Sequence, residues 1–265
     1  MPLTSFQKEL GKLLACNRSE ESYLAGGAAI LASPNSKRYS QDLDFFHDSS
    51  ARVARAFEAD KKLLEEHGYG IEMEINQPGY LKVIVSRQKV TTKIEWAQDS
   101  TWRFMPVMKS DDFGYQLHPI DSATNKVLAL AGREEVRDLL DTIYLHRNVL
   151  DLGPLVWAAV GKDPGFSPLS LIELLKRRGK VRPEELDGLH LVEKIDIRQL
   201  KMEWREALSA AEEFTVSRPP DEIGCLYYSV QLKQFINPNE THTGKVVPHF
   251  GRPGGVLPKI VEDEP

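Results

Sequence analysis

The sequence is poor in cysteine and has no long apolar run. Its 265 residues include two cysteines, Cys16 and Cys225, which lie far apart and match no metal-ligand spacing. This usage is typical of a reducing compartment with free thiols. No apolar run approaches the length of a membrane span, and the first residues show no signal-peptide pattern. We therefore expect a cytoplasmic protein without a membrane partner.

The sequence also lacks an excess of basic residues. It contains 34 Lys and Arg against 39 Asp and Glu, for a net charge of −5. An overall basic surface for nucleic acid is therefore excluded, and any RNA partner would have to be bound by local patches. The one local basic cluster consists of Arg177, Arg178, Lys180 and Arg182. It suits either a nucleic-acid backbone or a solvated helix end.

The most informative stretch is an aromatic run that contains Asp42 and Asp44. In a strand these two acids share one face, while Leu43 and Phe45 take the other. Two like charges this close repel each other unless a cation or a proton lies between them. Mg²⁺ prefers oxygen ligands and usually takes one or two carboxylates plus substrate phosphates. The pattern therefore favours a magnesium site, with a solvated strand end as the alternative.

A glycine pair, Gly26 and Gly27, precedes these acids at the end of a short apolar strand. A small-residue helix follows it. Helix N-termini offer unpaired N–H groups, and glycines let a phosphate approach closely. The pattern of a P-loop is absent, and a simple tight turn is the alternative. Asp42 lies fifteen residues after Gly27, which is enough for one helix and a return into a neighbouring strand. A phosphate-binding turn and a metal site would then face each other.

Residue periodicity predicts an α+β protein with a large core. The predicted helices cover residues 5–16, 51–67, 169–176 and 201–214, and the predicted strands cover 69–76, 81–86 and 91–96. We expect a mixed β-sheet flanked by helices over residues 1–118 and a mainly helical region over 119–236. The Pro- and Gly-rich tail over 237–265 is expected to be extended or disordered.

A second group of charged residues follows position 120. The polar residues at 121–122 are expected to cap a helix, and Lys126 lies one turn into it. Arg133, Arg137 and Asp141 are four residues apart, so they share a helical face if that helix continues. An ion pair between Arg137 and Asp141 is the structural alternative to a chemical role.

These motifs together resemble the nucleotidyltransferase superfamily of DNA polymerase β. They are more closely similar to the AbiEii-type nucleotidyltransferases, the toxin side of type IV toxin–antitoxin systems. The matching positions are Gly26, Gly27, Arg38, Ser40, Asp42, Asp44, Phe45, Asp121, Lys126, Arg137 and Asp138. Gly27 stands where many members carry Ser, so a backbone N–H rather than a hydroxyl would contact phosphate. The match covers roughly residues 20–145.

The resemblance implies a nucleotidyltransferase-type sheet and a Mg²⁺-dependent reaction. Asp42, Asp44 and Glu95 would be the catalytic residues and would hold two Mg²⁺ ions. A salt bridge to Lys93 or Lys82 is the alternative role for Glu95, and Asp99 is the fallback third acid. The expected nucleotide-binding residues are Gly26, Gly27, Arg38, Ser40, Lys126, Arg137 and Asp138.

Three functions fit this resemblance. In the first, a nucleoside monophosphate moves from an NTP to an acceptor hydroxyl, with tRNA or another RNA as acceptor and a cognate antitoxin as partner. In the second, an antibiotic-type enzyme modifies a small hydroxylated or amino compound, and an acidic cleft would favour it. In the third, a non-catalytic module binds nucleotide without metal-dependent turnover.

Overall fold

A computed structural model describes residues 3–31, 38–240 and 244–259. The chain divides into two compact units. Unit 1 contains the chain up to Thr101, together with Pro106–Ser122 and Leu189–Lys194. Unit 2 contains Trp102–Met105, Ala123–Gly188 and the chain from Ile195 onward.

Helices and strands alternate in the first half, and helices dominate the middle of the chain. The helices are α1 (Ser5–Leu14), α2 (Gly26–Leu31), α3 (Ser50–Glu66), α4 (Pro119–Gly132), α5 (Val136–Asn148), α6 (Leu152–Lys162), α7 (Pro168–Arg178), α8 (Pro183–Asp187) and α9 (Ile197–Ser217). The strands are β1 (Ser22–Ala25), β2 (Asp42–His47), β3 (Gly70–Gln77), β4 (Tyr80–Arg87), β5 (Val90–Gln98), β6 (Trp102–Arg103), β7 (Met108–Ser110), β8 (Gly114–Gln116), β9 (Cys225–Ser229), β10 (Gln234–Phe235), β11 (Val246–Phe250) and β12 (Arg252–Pro253). Within the described part of the chain, no helix has both the length and the apolar character to cross a membrane.

Unit 1 is built on a mixed sheet with the strand order β3-β4-β5-β2-β1-β8-β7. The pairs β2–β5 and β1–β8 are parallel, and the other neighbours are antiparallel. Gly79 lies in the turn between β3 and β4 with a φ of +78°, a conformation that favours glycine. The expected α+β class, with a mixed sheet flanked by helices and a helical second part, is confirmed.

The core of unit 1 lies on one face of this sheet, where α1 and α3 pack. Alternation along β2 and β5 places Leu43, Phe45, Ile94 and Trp96 on that face, all fully buried. Burying one such side chain stabilises the fold by about 1.5–3 kcal/mol. The apolar positions of α1 recur at helical spacing, and Thr4 caps its first turn. The core therefore fixes which face of each strand is left for polar side chains.

Unit 2 combines helices with a small sheet of order β10-β9-β11. Its aromatic core contains Trp157, Phe214 and Tyr227 in edge-to-face contacts. The indole N–H of Trp157 donates to the carbonyl of Glu222 over 2.8 Å. This packing holds α6 and α9 against β9.

The helix after residue 118 differs from the sequence expectation at both ends. It begins at Pro119, so Asp121 lies in its first turn rather than at its cap. Proline is favoured at a helix start because its missing N–H would be unpaired there anyway. The helix ends at Gly132, and Glu135 has extended φ and ψ angles before α5 starts. Arg133 and Arg137 therefore do not share one continuous helix.

The Pro- and Gly-rich segment after residue 237 contributes two strands to unit 2. β11 pairs with β9 in antiparallel register, and β12 pairs with β6. A ring nitrogen of His249, which is buried, lies 2.8 Å from the carbonyl oxygen of Phe104. Long-range pairing with β9 gives this segment its structure, which its composition does not predict. Residues 241–243 and 260–265 of the predicted tail lie outside the described residues.

Candidate active site

Three carboxylates from two neighbouring strands meet on the sheet of unit 1. Asp42 and Asp44 lie on β2, and Glu95 lies directly opposite Asp44 on the parallel strand β5. Each offers one carboxylate oxygen, and these oxygens lie within 4.8 Å of one another. Asp42 is buried and the other two are half-buried, so water screens their mutual repulsion incompletely. A cluster of three oxygen donors with this charge fits Mg²⁺ or a comparable hard cation.

The first glycine of α2 leaves the space that Asp44 occupies. Gly26 has a φ of +58°, and a Cβ at this position would overlap the carboxylate of Asp44. Its neighbour Ala25 is paired with Asp44 in the antiparallel β1–β2 register. The residue at 26 must therefore be glycine for two reasons, the backbone conformation and the contact. The structure brings the predicted glycine turn and the predicted acids together.

Tyr80 and Lys82 on β4 contact the third carboxylate. The Tyr80 hydroxyl donates to Oε2 of Glu95 over 2.9 Å. Lys82 Nζ lies 2.9 Å from Oε1 of the same residue. The ion pair that the sequence offered as an alternative role for Glu95 thus exists within the carboxylate cluster. Together the two side chains fix both oxygens of Glu95.

Both partners of Glu95 keep their protons. Burial raises the pKa of Tyr80, and the hydrogen bond to Glu95 and the charges of Glu95, Asp44 and Asp42 raise it further. Burial lowers the pKa of Lys82, but the hydrogen bond to Glu95 and the nearby carboxylates more than offset this, so it lies above its ordinary value. Sequence reasoning did not single out Tyr80. The only signal was the alternation that puts residues 80 and 82 on one face of a strand.

A buried network on the opposite face of the sheet holds the residues that follow the acids. The carboxylate of Asp60 on α3 accepts hydrogen bonds from Trp96 Nε1 at 2.7 Å and Asn17 Nδ2 at 2.8 Å, and it pairs with Arg18. The Arg18 guanidinium lies 4.3 Å above the ring of Phe45. Phe45 and Trp96 directly follow Asp44 and Glu95, so this network supports the register of the two strands.

The residues just before β2 make contacts that include several backbone carbonyls. Arg38 is buried, forms a backbone bridge with Leu191, and donates from Nη1 to the carbonyl of Tyr39 over 3.1 Å. The Ser40 hydroxyl donates to the carbonyl of Asp42 over 2.9 Å. Gln7 Nε2 donates to the carbonyl of Ser40 over 3.1 Å. These contacts position the start of β2, and nucleotide binding by Arg38 and Ser40 stays a prediction.

In unit 2, two of the predicted nucleotide-binding residues pair with each other. Lys126 Nζ lies 2.7 Å from Asp138 and 2.9 Å from Asp141. Arg133 Nε lies 2.7 Å from the second oxygen of Asp138. Arg137 Nε lies 3.9 Å from Glu135. A phosphate contact by Lys126, and nucleotide binding by Arg137 and Asp138, stay predictions.

The pKa values of this cluster follow from burial and charge. Burial lowers the pKa of Lys126, but Asp141 and Asp138 more than offset it, and the result lies above the ordinary value. Burial raises the pKa of Asp138, but Lys126 and Arg133 more than offset it, and the result lies below the ordinary value. The pair is therefore charged at neutral pH.

Comparison with known families identifies the chain. The model of the family described as nucleotidyl transferase AbiEii toxin, type IV TA system, matches residues 12–219. The chain belongs to the AbiEii family. The resemblance inferred from the motifs is therefore confirmed, and this AbiEii protein is a nucleotidyltransferase by family.

The solved structure of MenT4 has a fold similar to that of this chain at low sequence identity. MenT4, a nucleotidyltransferase toxin from Mycobacterium tuberculosis H37Rv, is 16% identical, with a TM-score of 0.54 over 82% of this chain and 83% of its own. JHP933 from Helicobacter pylori is also 16% identical, with a TM-score of 0.47 over 80% of this chain and 94% of its own. No curated protein sequence matches this chain.

Proposed function

We propose that this protein uses Mg²⁺ to transfer a nucleoside monophosphate from an NTP to an acceptor hydroxyl. The observation that carries the proposal is the cluster of Asp42, Asp44 and Glu95, whose carboxylate oxygens lie within 4.8 Å of one another. Lys82 offsets part of the negative charge of the three carboxylates, and a divalent cation among them would offset more. The family membership supplies the reaction class.

In the proposed reaction the acceptor oxygen bonds to the α-phosphorus, and the bond from that phosphorus to the bridging oxygen of pyrophosphate breaks. Mg²⁺ bound at the three carboxylates would polarise phosphate oxygens and favour ionisation of the acceptor hydroxyl. Glu95 orients that hydroxyl and receives its proton. Tyr80 and Lys82 hold Glu95 in place through its two oxygens.

The triphosphate is held by groups that the sequence identified. Backbone N–H groups of Gly26 and Gly27 would contact phosphate, because glycine lets a phosphate approach the main chain closely. The family resemblance implies that Lys126 and Arg38 offset charge on the leaving pyrophosphate. Ser40, Arg137 and Asp138 complete the proposed nucleotide-binding set.

The proposed acceptor is RNA, with tRNA as the first candidate. The family is described as the toxin of a type IV toxin–antitoxin system, and the family resemblance implies tRNA acceptor ends as a target. A cognate antitoxin protein would then be the physiological partner, and the cytoplasm the place of action.

The test is transfer of label from NTPs labelled at the α-phosphate. Each of the four NTPs is incubated with Mg²⁺ and the purified protein, with total tRNA, total protein or a panel of hydroxylated antibiotics as acceptor. We expect label on tRNA that depends on Mg²⁺ and on one or two of the NTPs. Label on the antibiotics alone, or on no acceptor, would overturn the proposal.

A further inference from the structure

A basic groove lies in unit 2 between the end of α7 and one face of α9. It encloses about 480 Å³, which is within the range of pockets that bind small molecules or single nucleotides. Its lining includes Lys176, Lys180, Lys201, Trp204 and Arg205, together with one carboxylate, Glu212. Trp204 and Leu208 are buried and form an apolar base, whereas the four cationic side chains are exposed.

Three of the four cations have no carboxylate partner within the described part of the chain. Lys176 pairs with Glu173 at 2.8 Å and with Glu212 at 2.5 Å. Lys180, Lys201 and Arg205 form no ion pair with any described residue. Like charges that face one another across a groove repel, and a bound anion relieves that repulsion. This arrangement stands out in a chain whose net charge is −5.

The groove is fixed by close packing rather than formed by mobile side chains. A Cβ at Gly179 would overlap the indole nitrogen of Trp204, so the chain after α7 lies directly on the ring. Lys201 and Arg205 are four residues apart on α9, which places them one turn apart on the same side. The cations therefore form two walls, with Lys180 on one and the α9 pair on the other.

We propose that this groove binds the phosphate backbone of the RNA acceptor. Unpaired lysines are compact point charges that suit phosphate, and phosphate contacts dominate the affinity of proteins for nucleic acids. The choice of RNA rests on the proposed function, in which RNA is the acceptor. Free NTP carries the same phosphate chemistry, so the test separates the two.

The experiment measures binding of fluorescently end-labelled total tRNA by anisotropy, without added NTP, over a range of salt concentrations. The variant is Lys201→Glu/Arg205→Glu, and the matched control is Arg177→Glu, which lies on α7 beside Lys176 but outside the groove lining. We expect the double variant to bind tRNA at least about tenfold more weakly than the wild type. The slope of log affinity against log salt concentration should become smaller by about two units. The control should bind like the wild type. Because both substituted residues are exposed, the thermal midpoints should agree.

The outcomes are distinguishable. If the double variant binds tRNA like the wild type, or if the wild type binds no tRNA, the assignment of the groove is wrong. If the double variant loses affinity for ATP as strongly as for tRNA, the groove is a nucleotide site and the RNA assignment is wrong. If the wild type binds tRNA through the groove but transfers no nucleotide to it, the groove assignment stands and the proposed function fails.

Discussion

Asp44 and Glu95 occupy the same register position on two adjacent parallel strands. Their side chains therefore project from the same face of the sheet, where Asp42 joins them. One strand alone presents two carboxylates, and the neighbouring strand supplies the third. The predictions below follow from this pairing and from the buried charges around it.

Replacing Asp44 by Asn should abolish nucleotide transfer while the fold is retained. The substitution keeps the size of the side chain and removes one anionic ligand of the proposed metal site. A bound metal ion contributes several kcal/mol to transition-state stabilisation. We expect a loss of about 1,000-fold or more in the rate of label transfer. The matched control is Glu72→Gln on β3, an exposed acid outside the cluster. An Asp44→Asn enzyme that works at the wild-type rate would show that the site is misassigned.

Mg²⁺ should stabilise the wild-type protein against unfolding and should do so far less for Asp42→Asn. A ligand at one hundred times its Kd stabilises the native state by about 2.7 kcal/mol. Without metal, Asp42→Asn should still unfold in one cooperative thermal transition, because Asn keeps the size of the side chain. Thermal melts with Mg²⁺ or with a chelator measure both effects. Equal stabilisation of both proteins by Mg²⁺ would place the ion elsewhere.

Tyr80→Phe should weaken activity without unfolding the protein. It removes one hydroxyl, which holds Oε2 of Glu95. Loss of a group that orients a metal ligand typically costs about 10–100-fold in metal affinity or activity. We expect the Mg²⁺ concentration for half-maximal rate to rise, a change that lost packing alone would not produce. Tyr228→Phe in unit 2 is the control, and it should leave the Mg²⁺ dependence unchanged.

Lys126→Met should destabilise the protein by about 3–5 kcal/mol, because it removes the cation that the buried Asp138 and Asp141 share and leaves Arg133 as the remaining partner of Asp138. Urea unfolding measures this cost, and a loss below about 1 kcal/mol would contradict the role of the ion pair. Lys126→Arg keeps the charge, so its KM for NTP tests the separate proposal of a phosphate contact.

The same cluster sets a pH window for stability. The pKa of Asp138 lies below its ordinary value in the folded state. Ionised Asp138 therefore contributes to the free energy of unfolding at pH values above its pKa in the unfolded chain. This contribution is lost as the pH falls through the lower pKa of the folded state. The pKa of Lys126 lies above its ordinary value, so its contribution is present below the unfolded pKa and is lost as the pH rises through the raised value. Lys126→Met should remove the dependence at high pH and change the one at low pH, where Arg133 remains paired with Asp138.

His47 should make the protein sensitive to mild acid. The side chain is fully buried, and burial, with the nearby charge of Arg18, lowers its pKa from 6.5 to about 3. The unfolded chain binds a proton below pH 6.5 that the folded chain does not, so stability is full above that pH and falls as the pH falls toward 3. Linkage gives a loss of about 2 kcal/mol at pH 5 relative to pH 7.5.

Urea unfolding at the two pH values measures this loss. His47→Gln should flatten the dependence between pH 7.5 and pH 5, whatever its stability at neutral pH. An unchanged slope in that variant would assign the acid sensitivity to other groups.

Local pattern alone predicted much of the candidate site. The alternation around Asp42 and Asp44 gave a strand with both acids on one face, as the structure has it. The glycine pair and the spacing to Asp42 placed the turn beside the acids. The contacts of Tyr80 and Lys82 with Glu95 were not predictable in the same way, because they depend on the register of β4 against β5. A shift of one residue would move both side chains to the other face.

The sequence by itself determined the residue types, the periodicity of each strand and helix, and the motifs that identify the family. These are properties of neighbouring residues, which interact whatever the rest of the chain does. The tertiary structure decided which strands lie side by side, that α4 and α5 are separate helices around a buried Lys126, and that the segment after residue 237 pairs with β9. Those outcomes depend on contacts between residues far apart in the chain. The free energy gained from these contacts must exceed the entropic cost of closing the loops between them.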